Sequence, residues 1–145
     1  MNDFSREIQL RWSDLDPNFH LRHSVYYDYG AFCRISFLSS QGLTTNFMME
    51  HSIGPILFRE ECIFRKEVRM GDKLQIDLRL AAAGSSFARW TIKHNIIKND
   101  NILAAVITVD GAWIDIKRRK LATPPEEVFS TFNEMPRTED FSWTK

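Results

Sequence analysis

The chain has little cysteine, no excess of charge and no long apolar run. Cys33 and Cys62 are its only cysteines. One lies in an apolar helical run and the other in a strand-like one, which is no disulfide framework and points to two buried thiols in a reducing compartment. Lys and Arg total 19, and so do Asp and Glu. Nothing therefore drives binding to nucleic acid. The short basic cluster Lys117–Lys120 reads as a solvated strand end. No apolar stretch approaches the ~18 residues of a membrane span, and the N-terminal segment MNDFSREIQL lacks an apolar signal core. Cytoplasmic location is the resulting expectation. Internal repeats and linkers are absent too, so the 145 residues read as one domain over 1–135 with a C-terminal tail over 136–145.

Hydrophobic residues make up 43% of the chain, with eleven Phe, four Trp and three Tyr. That suffices for a bulky core. Glu7–Trp12 reads as a strand, with Ile8, Leu10 and Trp12 on one face. Ser13–His23 is a polar turn. Ser24–Ser39 reads as a helix, apolar on nearly every side and so expected to be buried all round. Gly30 and Ala31 would let another element approach it. Thr44–Gly54 looks irregular. Four strand-like segments follow: Leu57–Arg69, Leu74–Leu80, Phe87–Ile97 and Ile102–Ile116. The first should bury Phe58, Cys62, Phe64 and Val68. Short turns at Gly71-Asp72, Gly84–Ser86 and Asn99–Asn101 favour an antiparallel meander. Pro124 to Glu127 opens a short helix, and the polar stretch from Pro136 is expected to be loosely held. The fold class implied is α+β, a curved antiparallel sheet around one long helix. Open strand edges favour pairing with a second copy.

The chemistry-bearing stretch is RWSDLDPNFHLRHSVYYDYGAFCR, from Arg11 to Arg34. Two carboxylates and two histidines sit in a tight turn before a helix. The turn thus delivers acid/base groups beside free helix-start amides, which suits acyl transfer. Asp16 precedes Pro17 and is either a turn carboxylate or a base. Asp14 reads as structural, bonding the turn backbone. His20 either caps the turn or orients a reactant. His23 and Ser24 offer backbone N–H groups, and Asp28 reads as an exposed or hydrogen-bonded helix residue in preference to a general base. The spacing of Asp14, Asp16, His20 and His23 fits no zinc pattern, so no metal is expected.

The pattern D-x-D-x3-H-x5-Y-x2-Y-x4-R, carried by Asp14, Asp16, His20, Tyr26, Tyr29 and Arg34, resembles the start of the hotdog-fold acyl-CoA thioesterases, in the branch similar to 4-hydroxybenzoyl-CoA thioesterase. The Gly71-Asp72 and Gly84–Ser86 turns and the proline after the last strand are similar to that family as well, over roughly Ile8–Val128. The resemblance implies a hotdog fold, with the sheet wrapped around one long central helix. It implies thioester hydrolysis with Asp16 as general base or nucleophile, a homodimer or dimer of dimers, and an acyl-CoA substrate, coenzyme A being part of that substrate rather than a cofactor. Arg65, Lys66, Arg89 and Lys93 become candidates for the CoA phosphates, and Gly84, Ser85 and Ser86 for its pantetheine, the corresponding region in the family often touching CoA from the neighbouring subunit. Many members carry His-Val-Asn-Asn where this chain reads His20-Leu21-Arg22-His23, so no substrate preference transfers. Two further readings stand beside hydrolysis. One is a hotdog hydratase or dehydratase, whose Asp–His spacing is one residue longer than here. The other is an acyl-thioester-binding module without catalysis.

Overall fold

The computed structural model describes residues 3–144. β1 (Phe4–Ile8) is followed by a single 3-10 turn (Trp12–Asp14), a polar loop and α1 (Val25–Ser40). Next come α2 (Thr45–His51), β2 (Ile53–Phe64), β3 (Leu74–Ala83), β4 (Arg89–Lys98) and β5 (Ile102–Asp115). β6 (Lys120–Leu121), α3 (Glu126–Glu134) and β7 (Arg137–Trp143) complete the chain. The class is α+β: a curved sheet in the order β1-β3-β4-β5-β2, with β6 on β5 and β7 on β3. Its pairings are antiparallel except β3 with β7. Among the described residues no helix is long and apolar enough to cross a membrane.

The alternation read from the sequence builds the core. Leu74, Ile76, Leu78 and Leu80 of β3 are buried, as are Trp90, Ile92 and Ile96 of β4 and Ile107 and Val109 of β5. Each such side chain removed from water contributes about 1.5–3 kcal/mol. α1 lays Tyr26, Tyr29, Cys33 and Phe37 on this surface, the spacing of one helix face. Gly111 of β5 is required by packing: a Cβ there would overlap the Trp90 ring and the Ile56 carbonyl.

Several expectations are corrected. The described residues hold three α-helices rather than the two expected, α2 being the addition, and α1, the longest, is not enclosed on every side. Asp28, Ala31, Phe32 and Ile35 are exposed, because a single sheet covers only one helix face. The first strand stops at Ile8, and Trp12 stands in solvent, since the backbone N–H of Arg11 is drawn to the Asp14 carboxylate. Residues 45–51 are helical, not irregular. Thr44 caps them, its Oγ1 accepting the Phe47 N–H at 3.1 Å.

β2 does not neighbour β3 in a meander; it pairs with β5 at the far edge and ends at Phe64 rather than Arg69. A bulge lies between Leu57 and Arg59. Phe58 and Phe64 remain 54% and 52% exposed, not buried, and Cys62 is half-buried while Cys33 is buried. The chain beyond Phe64 leaves the sheet to meet the polar loop, where Leu21 donates its N–H to the Val68 carbonyl at 2.8 Å. That contact is why Val68 alone of its set is fully buried.

Residues 136–145 include β7, which is not loose. It lies parallel to β3 opposite Leu80, Ala82 and Ala83, just beyond the part of that edge covered by β1. It satisfies backbone groups that the short β1 cannot reach: Leu80 N–H donates to Pro136 O, and Thr144 N–H to Ala83 O.

One polar pair lies inside. His94 is fully buried on β4, where Arg34 Nη1 stands 3.1 Å from its Nε2 and the Asp77 carbonyl 2.8 Å from its Nδ1. A guanidinium only donates and a carbonyl only accepts, so Nδ1 carries the proton and the ring is neutral. Gly30 makes room, since a Cβ there would lie 3.2 Å from Arg34 Nη1 and 3.4 Å from His94 Cδ2. Burial first, and the Arg34 charge second, push His94 down to about 3. The unfolded chain takes up a proton at this residue below about pH 6.5 while the folded chain does not. Stability is therefore lost as pH falls from about 6.5 towards 3, by about 2 kcal/mol already at pH 5. Urea melts at pH 7 and pH 5 should show that loss. His94→Gln should lack this component of it, and an unchanged pH dependence in the variant would refute the assignment.

Candidate active site

The loop before α1 is organised by two carboxylates. Asp14 is 1% exposed. It accepts the Arg11 backbone N–H at 3.2 Å, the Arg11 guanidinium at 3.2 and 2.8 Å, and the Tyr29 hydroxyl at 3.3 Å. This fits the structural role expected of it, and it ties the loop to α1. The Arg11 hydrogen bond holds the Asp14 carboxyl below the usual carboxylate range. Burial pushes the Tyr29 phenol upward.

Asp16 closes the next ring. Its Oδ1 accepts the N–H groups of Asn18 at 2.8 Å and His20 at 3.1 Å, while its own N–H donates to the His20 carbonyl. So Asp16 does form the turn, as the plainer reading had it. Its Oδ2 has no hydrogen-bond partner among the described residues. Phe19 within this ring has φ 64°, a left-handed conformation costing an aromatic residue roughly 1–3 kcal/mol.

A cleft of about 330 Å³ opens beside the ring. Asp16, His20, His23 and Tyr26 line one side of it, and Phe64, Arg65, Lys66 and Glu67 the other. The candidate acid/base residues and two candidate phosphate-binding cations thus meet. His20 Nε2 stands 3.1 Å from Glu67 Oε2, and Glu67 also accepts from Arg69 at 2.7 Å. The backbone N–H groups of His23 and Ser24 donate to no acceptor among the described residues. Ser24 does not line the cleft, and its hydroxyl accepts from Arg22 Nε at 3.1 Å instead of capping α1. Burial pushes Tyr26 up to about 12, with Cys62 and Asp16 adding to it. Its phenol therefore stays protonated beside the cleft.

The remaining candidates lie elsewhere. Gly84, Ser85 and Ser86 form the β3–β4 turn, closed by Gly84 N–H to Arg89 O at 3.0 Å and Phe87 N–H to Gly84 O at 2.9 Å. Arg89 stacks over Phe58 at 5.2 Å and lines a separate cavity of about 260 Å³. Phe64 pairs with Ala105 of β5, and Arg89 with Ala112. Seven residues of strand separate those positions, about 23 Å. Within one chain the turn is therefore not part of the Asp16 cleft. Lys93 sits on β4 opposite Arg79, outside the cleft as well. Asp14, Asp16, His20 and His23 do not converge as metal ligands would, because Asp14 is turned to Arg11 and Tyr29. Sequence reasoning missed Glu67 and the Tyr26 phenol. Tyr26 stood in the quoted pattern, whereas nothing local marks Glu67, which arrives only because residues 65–69 leave the sheet.

The family described as the thioesterase-like superfamily matches residues 10–132. A Staphylococcus aureus protein solved in complex with CoA is similar in structure, with TM-score 0.83 and 18% identity over 94% of this chain and 88% of that one. A 1,4-dihydroxy-2-naphthoyl-CoA thioesterase from Synechocystis superposes with TM-score 0.80 and 19% identity, covering 92% of this chain and 97% of its own. A gentisyl-coenzyme A thioesterase gives 0.75 and 17%, covering 90% and 100%. These structural likenesses are likenesses of fold.

The Asp14 clamp is testable by substitution. Asp14→Ala leaves the buried Tyr29 hydroxyl without its acceptor, and should lower stability at pH 7 by about 1–3 kcal/mol. Because the Asp14 carboxyl is held low, its contribution is present above the ordinary carboxylate range and is lost as pH falls through the lowered value. The gap between wild type and variant in urea melts should therefore narrow in acid. A gap that widens there would contradict the clamp.

Proposed function

The chain belongs to the thioesterase-like superfamily, of hotdog fold, and on that footing we propose that it hydrolyses acyl-CoA thioesters at the Asp16 cleft. The observation that carries this reading is the meeting, in one cleft, of a carboxylate held by two loop amides with the unbonded amide of His23 at the foot of α1. Asp16 takes a proton from water as the water attacks the thioester carbonyl, or attacks the carbonyl itself. The N–H groups of His23 and Ser24, aided by the dipole of α1, receive the oxyanion. When Asp16 is the base, the carbon–sulfur bond then breaks and the proton held at Asp16 passes to the departing CoA thiolate. When it is the nucleophile, CoA departs as the thiolate and takes its proton from solvent, and water then hydrolyses the Asp16–acyl anhydride to free acid and carboxylate. His20, oriented by Glu67, holds the water or the carbonyl. Arg65 and Lys66 face the CoA phosphates. CoA enters as part of the substrate, and no metal or other cofactor takes part.

The assembly we propose is a dimer through β2, with a dimer of dimers as the larger alternative. The outer edge of β2 pairs with no strand in the described fold, and Leu57, Phe58, Ile63 and Phe64 are all more than 40% exposed along it. Such an edge favours a second copy. Antiparallel pairing of two β2 strands would set the Gly84–Ser86 turn and Arg89 of one protomer towards the Asp16 end of its partner, reconciling those candidates with one CoA.

Two experiments follow. A panel of aryl- and medium-chain acyl-CoAs, read by thiol release, should give turnover, and Asp16→Asn should lower kcat by about 10²–10⁴. No turnover on any of them, tight binding without hydrolysis, water addition to crotonyl-type thioesters in place of hydrolysis, or an Asp16→Asn variant as active as the parent would overturn the reading. Light scattering should show at least a dimer for the wild type and a smaller species for Ile63→Lys; a monomeric wild type would refute the assembly.

A further inference from the structure

A second cavity, of about 240 Å³, lies between α1, the sheet and α3. It shares no lining residue with the Asp16 cleft. Its walls are apolar, with Leu57, Leu78 and Phe132 among them. The only nitrogen- or oxygen-bearing side chains lining it are Arg34, Trp90 and Trp113. All three are donors that cannot accept. The indole N–H groups of Trp90 and Trp113 are buried without a hydrogen-bond partner among the described residues. The Arg34 guanidinium makes a single hydrogen bond in the described fold, to His94. Its nearest carboxylate, Glu60, stands 3.9 Å away, beyond hydrogen-bond reach. An apolar pocket whose lining carries one guanidinium and no nitrogen or oxygen acceptor on a side chain is complementary to an apolar body ending in an anion, which would join Glu60 beside Arg34.

We propose that this cavity binds a compact apolar molecule bearing one carboxylate, with Arg34 as its anion partner. A cavity of 150 Å³ holds benzene, so this one takes about ten non-hydrogen atoms, the size of octanoate or phenylacetate. The carboxylate meets the N–H groups that Arg34 does not spend on His94, and the hydrocarbon lies against Leu57, Leu78 and Phe132. Two sources supply this chemistry: a free carboxylic acid, or an acyl group with a carboxylate at its far end.

The test needs no knowledge of the natural ligand. Octanoate and phenylacetate are titrated into the full-length protein by calorimetry, alongside octanol and 2-phenylethanol, with tryptophan emission followed in parallel. The acids should saturate one site per chain, perturb the emission and bind at least tenfold more tightly than the alcohols. Arg34→Gln should abolish that preference. Ala31→Phe, at an exposed helix position on the cavity wall, should weaken octanoate without loss of fold, and keeps the test decisive if Arg34→Gln does not fold. The CoA half-thioester of octanedioic acid gives the source: displacement of octanoate by it, but not by CoA alone, assigns the site to an acyl group, and lack of displacement assigns it to a free acid. Acids and alcohols binding alike, no saturable binding, or acid binding that CoA displaces and Arg34→Gln leaves intact would overturn the proposal. None of these readouts depends on turnover, so a failed thioesterase assay and a failed site are distinguishable.

Discussion

The Asp14 carboxylate is the constraint from which the rest of the reactive end follows. It lies almost wholly out of water and is held by Arg11 from one side and by Tyr29 of α1 from the other. A buried carboxylate without such partners costs several kcal/mol, so the loop has little freedom to lift away from α1. Fixing Asp14 also fixes the Arg22 N–H, which donates to the Asp14 carbonyl at 2.8 Å, and the Leu15–Leu21 bridge. The Asp16 ring hangs between those two points. Its place in the cleft that His23 also lines is thus a consequence of its neighbour two residues earlier.

The sheet is asymmetric at its two sides. Beyond β3, two short strands, β1 and β7, divide the edge between them. Beyond β5, β2 runs for twelve residues with apolar side chains half in solvent. A monomer gains nothing from that exposure. The proposed dimer would use that asymmetry, with β2 as the surface for a second copy. α1 borders two cavities along its length: one with polar lining near its start and one with mostly apolar lining beside its second half.

Much of this was legible in the sequence because period-two alternation survives wherever one sheet face is buried. The Leu74–Leu80 run, the Trp90–Ile96 run and the turns at Gly71 and Gly84 were readable on that ground. The start of α1 was readable to within one residue. What failed did so for identifiable reasons. β2 alternates too, but alternation does not say which neighbour a strand takes, and its apolar face meets solvent in a single chain. Trp12 looked like a strand residue because the pull of Asp14 on Arg11 is invisible in periodicity. β7 is too polar to announce itself, and forms because β3 has backbone groups left to satisfy. His94 sits at a core-facing position of β4 and reads as an error of pattern until Arg34 supplies its partner. Glu67 joins His20 only through a chain reversal that no local motif encodes.

The proposed reaction rests on one geometric claim: a thioester carbonyl in the cleft lined by Asp16 and His23 would meet both the carboxylate and the opening amides of α1. A crystal structure with a non-hydrolysable acyl-CoA analogue tests it most directly. The account predicts the carbonyl oxygen within hydrogen-bond distance of the His23 or Ser24 N–H, the Asp16 carboxylate facing the carbonyl carbon directly or through one water, and the CoA phosphates near Arg65 and Lys66. A carbonyl bound away from the foot of α1, with Asp16 still engaged only by its own loop, would contradict it.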